Sequence, residues 1–196
     1  MTKTETAAVL DVCQAIAAGA ILEGQPANVA GAVEAELEFQ LALTSETLNA
    51  GLSLIVQTSS ELEGDEDWIR YWPGSALQAT AASEVITNNP APVGTTVFTV
   101  ASTTGFTGRG LRFLQDITTF VNSEWLWQTG SVLNTSITVM DATKRAHAQN
   151  STLYTGAESR RIMLPEGIKR VRTIYDNGAG ASTVAIRSRI VTVTIT

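Results

Sequence analysis

From Val33 to Leu43 the chain alternates without a break. Val33, Ala35, Leu37, Phe39, Leu41 and Leu43 occupy one set of positions, and Glu34, Glu36, Glu38 and Gln40 the other. Successive side chains of a strand point to opposite faces, so this run is a strand with one buried face and an acidic outer face. The period of two returns in Thr183–Ile195, where Val184, Ile186 and Ile190 share a face. After Ile190 the phase changes, with Val191, Val193 and Ile195 in step, which predicts a bulge near Arg189–Val191. Two one-sided strands at distant points of the chain require a sheet whose apolar face is covered by a second layer.

The rest of the chain reads the same way. Of its 196 residues 27 are Thr, a β-branched type that fits a pleated, half-buried surface. Shorter strands are predicted at Leu52–Thr58, Trp68–Trp72, Val97–Ala101, Leu111–Gln115, Glu124–Thr129, Ser136–Met140, Ile162–Leu164 and Ile168–Tyr175. Gly and Asn punctuate them, as in Asp176-Asn177-Gly178-Ala179-Gly180, a hairpin loop. Helix signals are confined to an Ala-rich N-terminus, read as a short helix or extended arm to about Gln14, and to Asp141–Gln149, read as one or two turns capped by Asp141. The segment Thr87–Gly94 has linker chemistry, with two Pro, two Asn and a Gly. The expected architecture is all-β: an N-terminal arm (1–14), a β-sandwich built from 15–87 and 158–196, and a small inserted β-barrel-like subdomain (88–157), with one continuous larger sandwich as the alternative.

Composition excludes several function classes. No apolar run reaches the ~18–20 residues of a membrane-spanning helix. Glu5 and Asp11 interrupt what would be the apolar core of a signal peptide. One cysteine, Cys13, leaves no internal disulfide and no cysteine-rich zinc site; one histidine, His147, removes most metal and acid–base designs. The formal net charge is −6, a poor balance for phosphate binding, so nucleic acid is not an expected partner. That figure hides an asymmetry: residues 1–98 carry 13 acids and 2 bases, residues 99–196 carry 6 acids and 11 bases.

Candidate chemistry is sparse. Glu61, Glu63, Asp65, Glu66 and Asp67 crowd one turn before Trp68, but lack the spacing of a calcium loop and read as a solvated acidic turn. His147, Ser151 and Asp141 form a triad only on paper, since no nucleophile elbow accompanies them. Glu124 and Asp141 form an unremarkable carboxylate pair, Cys13 reads as a small buried hydrophobe, and Gly105–Gly110 reads as a turn. Trp68, Tyr71 and Trp72 cluster, and Trp125 and Trp127 share a strand face, where they read as packing or as a ledge for a sugar. No catalytic residue, metal ligand or cofactor is expected. The interface candidates are the Arg-rich set Arg160, Arg161, Arg170, Arg172, Arg187 and Arg189 (with Lys169 nearby), the carboxylates Glu34, Glu36, Glu38, Asp65 and Asp67, and the aromatics Trp125 and Trp127; Arg suits bidentate carboxylate pairing.

Three stretches resemble a known group. Leu52–Ser60 followed by Gly64-Asp65-Glu66-Asp67-Trp68 resembles the strand–acidic turn–Trp element of small β-sandwich virion proteins of tailed bacteriophages. Thr96–Phe106 resembles the segment that opens a small β-barrel module in phage head proteins, with Ser123-Glu124-Trp125 and Thr135–Val139 matching the strands that follow. Leu164–Arg172 with Tyr175-Asp176-Asn177 is similar to the closing hairpin. The resemblance implies a non-enzymatic head-decoration (cement) protein on the capsid exterior of the virion, bound to a major capsid protein lattice as a homo-oligomer, a trimer being favoured. The alternatives are a tail- or fibre-associated module recognising a host glycan, or a tail or head–tail joining component.

Overall fold

The computed structural model describes residues 2–44, 52–64, 67–72, 81–180 and 182–195. It is all-β, with fifteen strands among these residues and one 3₁₀ turn at Phe120–Asn122. Every paired strand is antiparallel.

Sheet 1 has the order β1 (Lys3–Ile16), β15 (Val184–Ile195), β4 (Glu34–Leu43), β13 (Ala157–Met163). Sheet 2 has the order β2 (Ile21–Glu23), β14 (Arg170–Asp176), β5 (Ser53–Ser59), β6 (Ile69–Trp72), with β3 (Ala27–Asn28) also on β14. Their inner faces supply one core. Leu37, Phe39, Leu41 and Leu43 of β4 and Val184, Ile186 and Ile190 of β15 meet Leu54 and Val56 of β5 and Val171 and Tyr175 of β14. This is the sandwich that the alternation in β4 and β15 demands.

Sheet 3 has the order β7 (Ser83–Val85), β12 (Thr152–Tyr154), β9 (Gly110–Gln115), β10 (Glu124–Val132), β11 (Ser136–Val139), β8 (Val97–Thr99). One of its faces carries a separate core of Ile86, Ala91, Phe98, Val100, Phe106, Leu114, Leu126, Ile137, Val139 and Leu153. The segment read as a linker lies against this core: Ala91 is fully buried and bridges His147.

The other face of sheet 3 docks on the outer face of sheet 1. Phe113 and Trp125 pack against Cys13, Ala42 and Ala185. The Trp125 indole N–H donates to the Leu41 carbonyl at 3.2 Å, and its ring lies 4.6 Å from that of Phe113. Ala42 and Ala185 face each other across β4 and β15, and their small side chains let a large ring approach the backbone.

Three expectations need correction. Of the two readings of the N-terminus the helix is overturned: the segment is extended, and as β1 it pairs with β15 from Lys3↔Ile195 to Ile16↔Val184. The reason is that a 12-residue β15 has two edges to satisfy, and β4 covers one. The irregularity lies in β1, between Val9 and Gln14, while β15 runs on β4 without a shift from Val184↔Leu43 to Val193↔Glu34. The phase change in β15 instead marks where its outer positions pass from Arg187 and Arg189 to Val191 and Val193. Asp141–Gln149 forms bends and a bridge rather than helical turns, because its backbone N–H groups are taken from outside the segment: Lys144 and Arg145 donate to the Glu124 carboxylate, and Thr143 and His147 to the carbonyls of Thr95 and Ala91.

Candidate interaction surface

The register of sheet 1 sorts its outer face residue by residue. Glu34, Glu36, Glu38, Gln40 and Ala42 of β4 stand opposite Val193, Val191, Arg189, Arg187 and Ala185 of β15. On the far side of β4, Met163, Arg161, Ser159 and Ala157 of β13 stand opposite Glu36, Glu38, Gln40 and Ala42. Glu38 is therefore flanked by two arginines. Arg161 approaches it at 3.0 Å and Glu36 at 3.6 Å, Arg189 also pairs with it, and Lys3 reaches Glu34 at 3.3 Å. These are surface pairs worth about 0–1 kcal/mol each in water. They consume most of the acidic row within the chain.

The remaining arginines lie elsewhere. Arg170 and Arg172 are on the outer face of sheet 2, at the opposite side of the sandwich, and both stack on Trp68, with guanidinium carbons 4.8 and 4.3 Å from its ring centre. Arg172 pairs with Glu23 and donates to Gln57 at 2.7 Å. Arg170 donates to the carbonyls of Glu61 at 2.8 Å and Gly64 at 2.6 Å, tying down the acidic turn by its backbone. Asp67 is exposed in that turn; Asp65 and Glu66 lie outside the described residues. Arg160, one residue from Arg161, points to the other side of β13 and pairs with Glu158. The basic residues that cluster in the sequence thus occupy two opposed faces.

The two tryptophans of β10 share a face but not an environment. Trp125 is buried in the contact between sheets 1 and 3, while Trp127 is 44% exposed. A two-ring ledge is not formed. Arg187 lies over the Trp125 ring at 5.2 Å and donates to Gln40.

Two buried polar clusters were not foreseen. In the first, His147 sits between two acids, Glu124 of β10 and Asp116 just after β9: its Nε2 is 3.0 Å from Glu124 and its Nδ1 is 3.3 Å from Asp116. Glu124 also accepts the backbone N–H of Lys144 at 3.0 Å and of Arg145 at 2.9 Å, and Asp116 those of Thr118 at 2.9 Å and Thr119 at 2.8 Å. Burial raises the pKa of both carboxyls, but the hydrogen bonds outweigh it. Those to Asp116 come from Thr118, Thr119 and Ala148, those to Glu124 from His147, Lys144 and Arg145, and both acids end below their ordinary values. The His147 side chain has no exposed surface, so the cluster holds the 141–148 loop against sheet 3. Ser151 and Asp141 are not the partners of this ring; the Ser151 hydroxyl accepts the Ile117 N–H at 3.4 Å.

The second cluster lies inside the sandwich. Asp11, at the irregular part of β1, accepts hydroxyls from Thr173 at 2.8 Å, Tyr175 at 2.8 Å and Ser188 at 2.5 Å, all on one carboxylate oxygen. Burial first, and the Asp11 charge second, push the Tyr175 phenol well above its usual range, so it stays a donor.

No protein-family model and no curated protein sequence matches the chain. Among solved structures it aligns with the SPBc2 prophage-derived protein YomS over 98% of this chain and 96% of that one, at 9% identity and a TM-score of 0.32. It aligns with a chain of infectious bursal disease virus, Gx strain, over 99% and 82%, at 8% identity and a TM-score of 0.25. With VP17, a capsid protein of bacteriophage P23-77, the coverage is 100% and 99%, at 8% identity and a TM-score of 0.19. Likeness at this level carries no functional argument.

Proposed function

We propose that this chain is a non-enzymatic virion structural protein, a decoration protein that binds the outside of a major capsid protein lattice as a homo-oligomer, with a trimer expected. The observation that carries this reading is the edge of sheet 1. β1 is 14 residues long and, among the described residues, has a strand on one side only; its first seven residues, Lys3–Val9, are all exposed. Long exposed edges are templates for pairing with another chain, and soluble proteins ordinarily blunt them. Here the edge carries Val9 and Val12 outward, 68% and 56% exposed. A partner strand added to it would gain main-chain hydrogen bonds and apolar burial together. The resemblance of Thr96–Phe106 and of the closing hairpin to phage head proteins supports the same reading.

A protein that binds only the assembled shell stabilises it by mass action, by about 2.7 kcal/mol at a concentration 100 times the Kd. The test is to add purified protein to undecorated heads and measure survival after heating, together with an image of the intact particle. Protein bound at regular positions and raised heat resistance are expected. Heads of unchanged resistance that carry no bound protein would refute the proposal. Replacing Ala7 and Val9 by Pro, which removes N–H donors along the edge, is expected to abolish binding.

A further inference from the structure

The charge on the outer face of sheet 1 is not balanced along its length. At the end nearest sheet 3 a cleft of about 480 Å³ opens between the two sheets, lined by Glu38, Gln40, Trp125, Lys144, Ser159, Arg161, Arg187 and Arg189 with Val9 and Ser188 at its margin. It holds four cationic side chains and one carboxylate. Arg161 and Arg189 share Glu38, as the strand register dictates. Among the described residues neither Arg187 nor Lys144 is in an ion pair; Glu124 acts on Arg187 through its charge and on Lys144 only through the backbone N–H. The β4 position facing Arg187 is Gln40, which offers a neutral amide oxygen, and the β13 position facing Gln40 is Ser159.

We propose that this cleft is a binding site for an oxyanion group (carboxylate, phosphate or sulfate) held between Arg187 of sheet 1 and Lys144 of the loop that follows sheet 3's β11. The Arg187 cation and the Lys144 backbone are already positioned. The Arg187 guanidinium is set by Gln40 and by the Trp125 ring, and that ring is itself fixed by its bond to Leu41. The Lys144 backbone is anchored by Glu124 at 3.0 Å. Pre-organised donors of this kind lose little freedom on binding, and a guanidinium offers the paired N–H groups that match an oxyanion. The cleft is of the size that encloses a small ligand or a single acidic side chain. Desolvation is the main cause that lowers the Arg187 pKa; the charges of Arg145 and Arg189 add to it, and Cys13 and Glu124 oppose it. Because the two cations belong to different sheets, an occupant would also cross-brace them.

Calorimetric titration at fixed ionic strength tests this with three probes: inorganic phosphate, citrate and a blocked hexaglutamate peptide. Saturable binding of at least one probe is expected, with a Kd of about 1 mM or tighter, a free energy accessible to one well-formed charge-assisted pair of contacts. Lys144→Gln, an exposed change that leaves the anchoring backbone bond intact, is expected to weaken it about tenfold, as is Arg187→Gln. Arg70→Gln, far from the cleft on sheet 2, is expected to leave it unchanged. Tightest binding of phosphate or citrate marks a free anion as the occupant; tightest binding of the peptide marks an acidic polypeptide. No saturable heat from any probe, or equal binding by Lys144→Gln and wild type, would overturn the proposal. Each readout is independent of the capsid-binding reading.

Discussion

Asp11 offers the sharpest test of how this fold is held together. The residue is 5% exposed, and one of its oxygens accepts hydroxyls from Thr173 and Tyr175 of β14 and Ser188 of β15. It therefore joins both sheets of the sandwich through one atom, at the point where β1 breaks register. Asp11→Ala removes the acceptor and strands three hydroxyls whose residues are almost wholly buried. A hydrogen bond to a charged group contributes about 1.5–3 kcal/mol, and a stranded buried donor costs about 1–3. Three bonds to one oxygen are not additive, and removing a desolvated carboxylate returns part of the loss. The expected net cost is about 4 kcal/mol, which for a chain of this size lowers Tm by about 8–16 °C. Tyr175→Phe removes one donor and keeps the acceptor, so it is expected to cost about 1 kcal/mol. The assay is urea and thermal denaturation of both single variants and the double variant. A coupling energy of about 1–3 kcal/mol between the sites is expected. A cost below about 1 kcal/mol for Asp11→Ala, or zero coupling to Tyr175→Phe, would refute the view that this carboxylate pins the sandwich.

Acidification below about pH 4.5 should weaken the carboxylates that hold the 141–148 loop. The Asp116 and Glu124 pKa values lie below their ordinary 3.8 and 4.5, so their stabilising contribution is complete above those values and is lost as pH falls through the lower, folded-state ones. Denaturation midpoints measured from pH 6 downward should fall more steeply for wild type than for Glu124→Gln, and parallel curves would contradict the linkage. Burial raises the Cys13 thiol to about 11, so a thiol reagent at pH 8 should not label native protein and should label one thiol per chain in denaturant; rapid native labelling would show that β1 opens. Gly105 and Gly31 both have positive φ, +83° and +82°, but a Cβ on Gly105 would lie 2.4 Å from that of Ala82, whereas one on Gly31 meets nothing. Gly31→Ala should therefore cost about 1–2 kcal/mol of backbone strain alone, and Gly105→Ala at least about 1 kcal/mol more for the overlap, both by thermal denaturation.

The strands that were legible are those with one wet and one dry face. β4 over Glu34–Leu41 and β14 over its whole length alternate with a period of two because each lies in the sandwich with that part of its outer face toward solvent, and β15 does so from Ile186 to Ile190. β1 was illegible for three physical reasons. Its register shifts break the alternation, its run Ala7-Ala8-Val9-Leu10 is apolar on both faces, and one of its two acids, Asp11, is buried. Asp11 looks like surface in a sequence, and only its three hydroxyl donors, 162–177 residues away, make burial tolerable. The His147 cluster failed for the same reason. Its acids are 23 and 31 residues from the ring, and no spacing rule links them. The signal that existed was chemical: a lone histidine beside a predicted core must find partners, and Glu124 opened a predicted strand.

The charge asymmetry between the two halves of the chain resolves into a gradient along one strand pair. Reading β4 from Glu34 through Glu36, Glu38 and Gln40 to Ala42, the outer face passes from acidic to neutral to small. Reading β15 opposite it, from Val193 through Val191, Arg189 and Arg187 to Ala185, the face passes from apolar to basic to small. The two sequences are offset: the bases on β15 lie closer to sheet 3 than the acids on β4. Glu38 and Arg189 are in register and pair, but Arg187 meets Gln40, and the third acid of the row, Glu34, has to be met by Lys3 of β1 instead. The complementarity is therefore mostly used inside the chain, and salt should weaken folding by little, since exposed pairs contribute little. What the offset leaves over is a positive end beside the alanines that receive Trp125. The same displacement by one pairing step thus places a small-residue seat for sheet 3 next to an unmatched arginine, and it does so with residues that the sequence, taken alone, presents as an ordinary solvated sheet face.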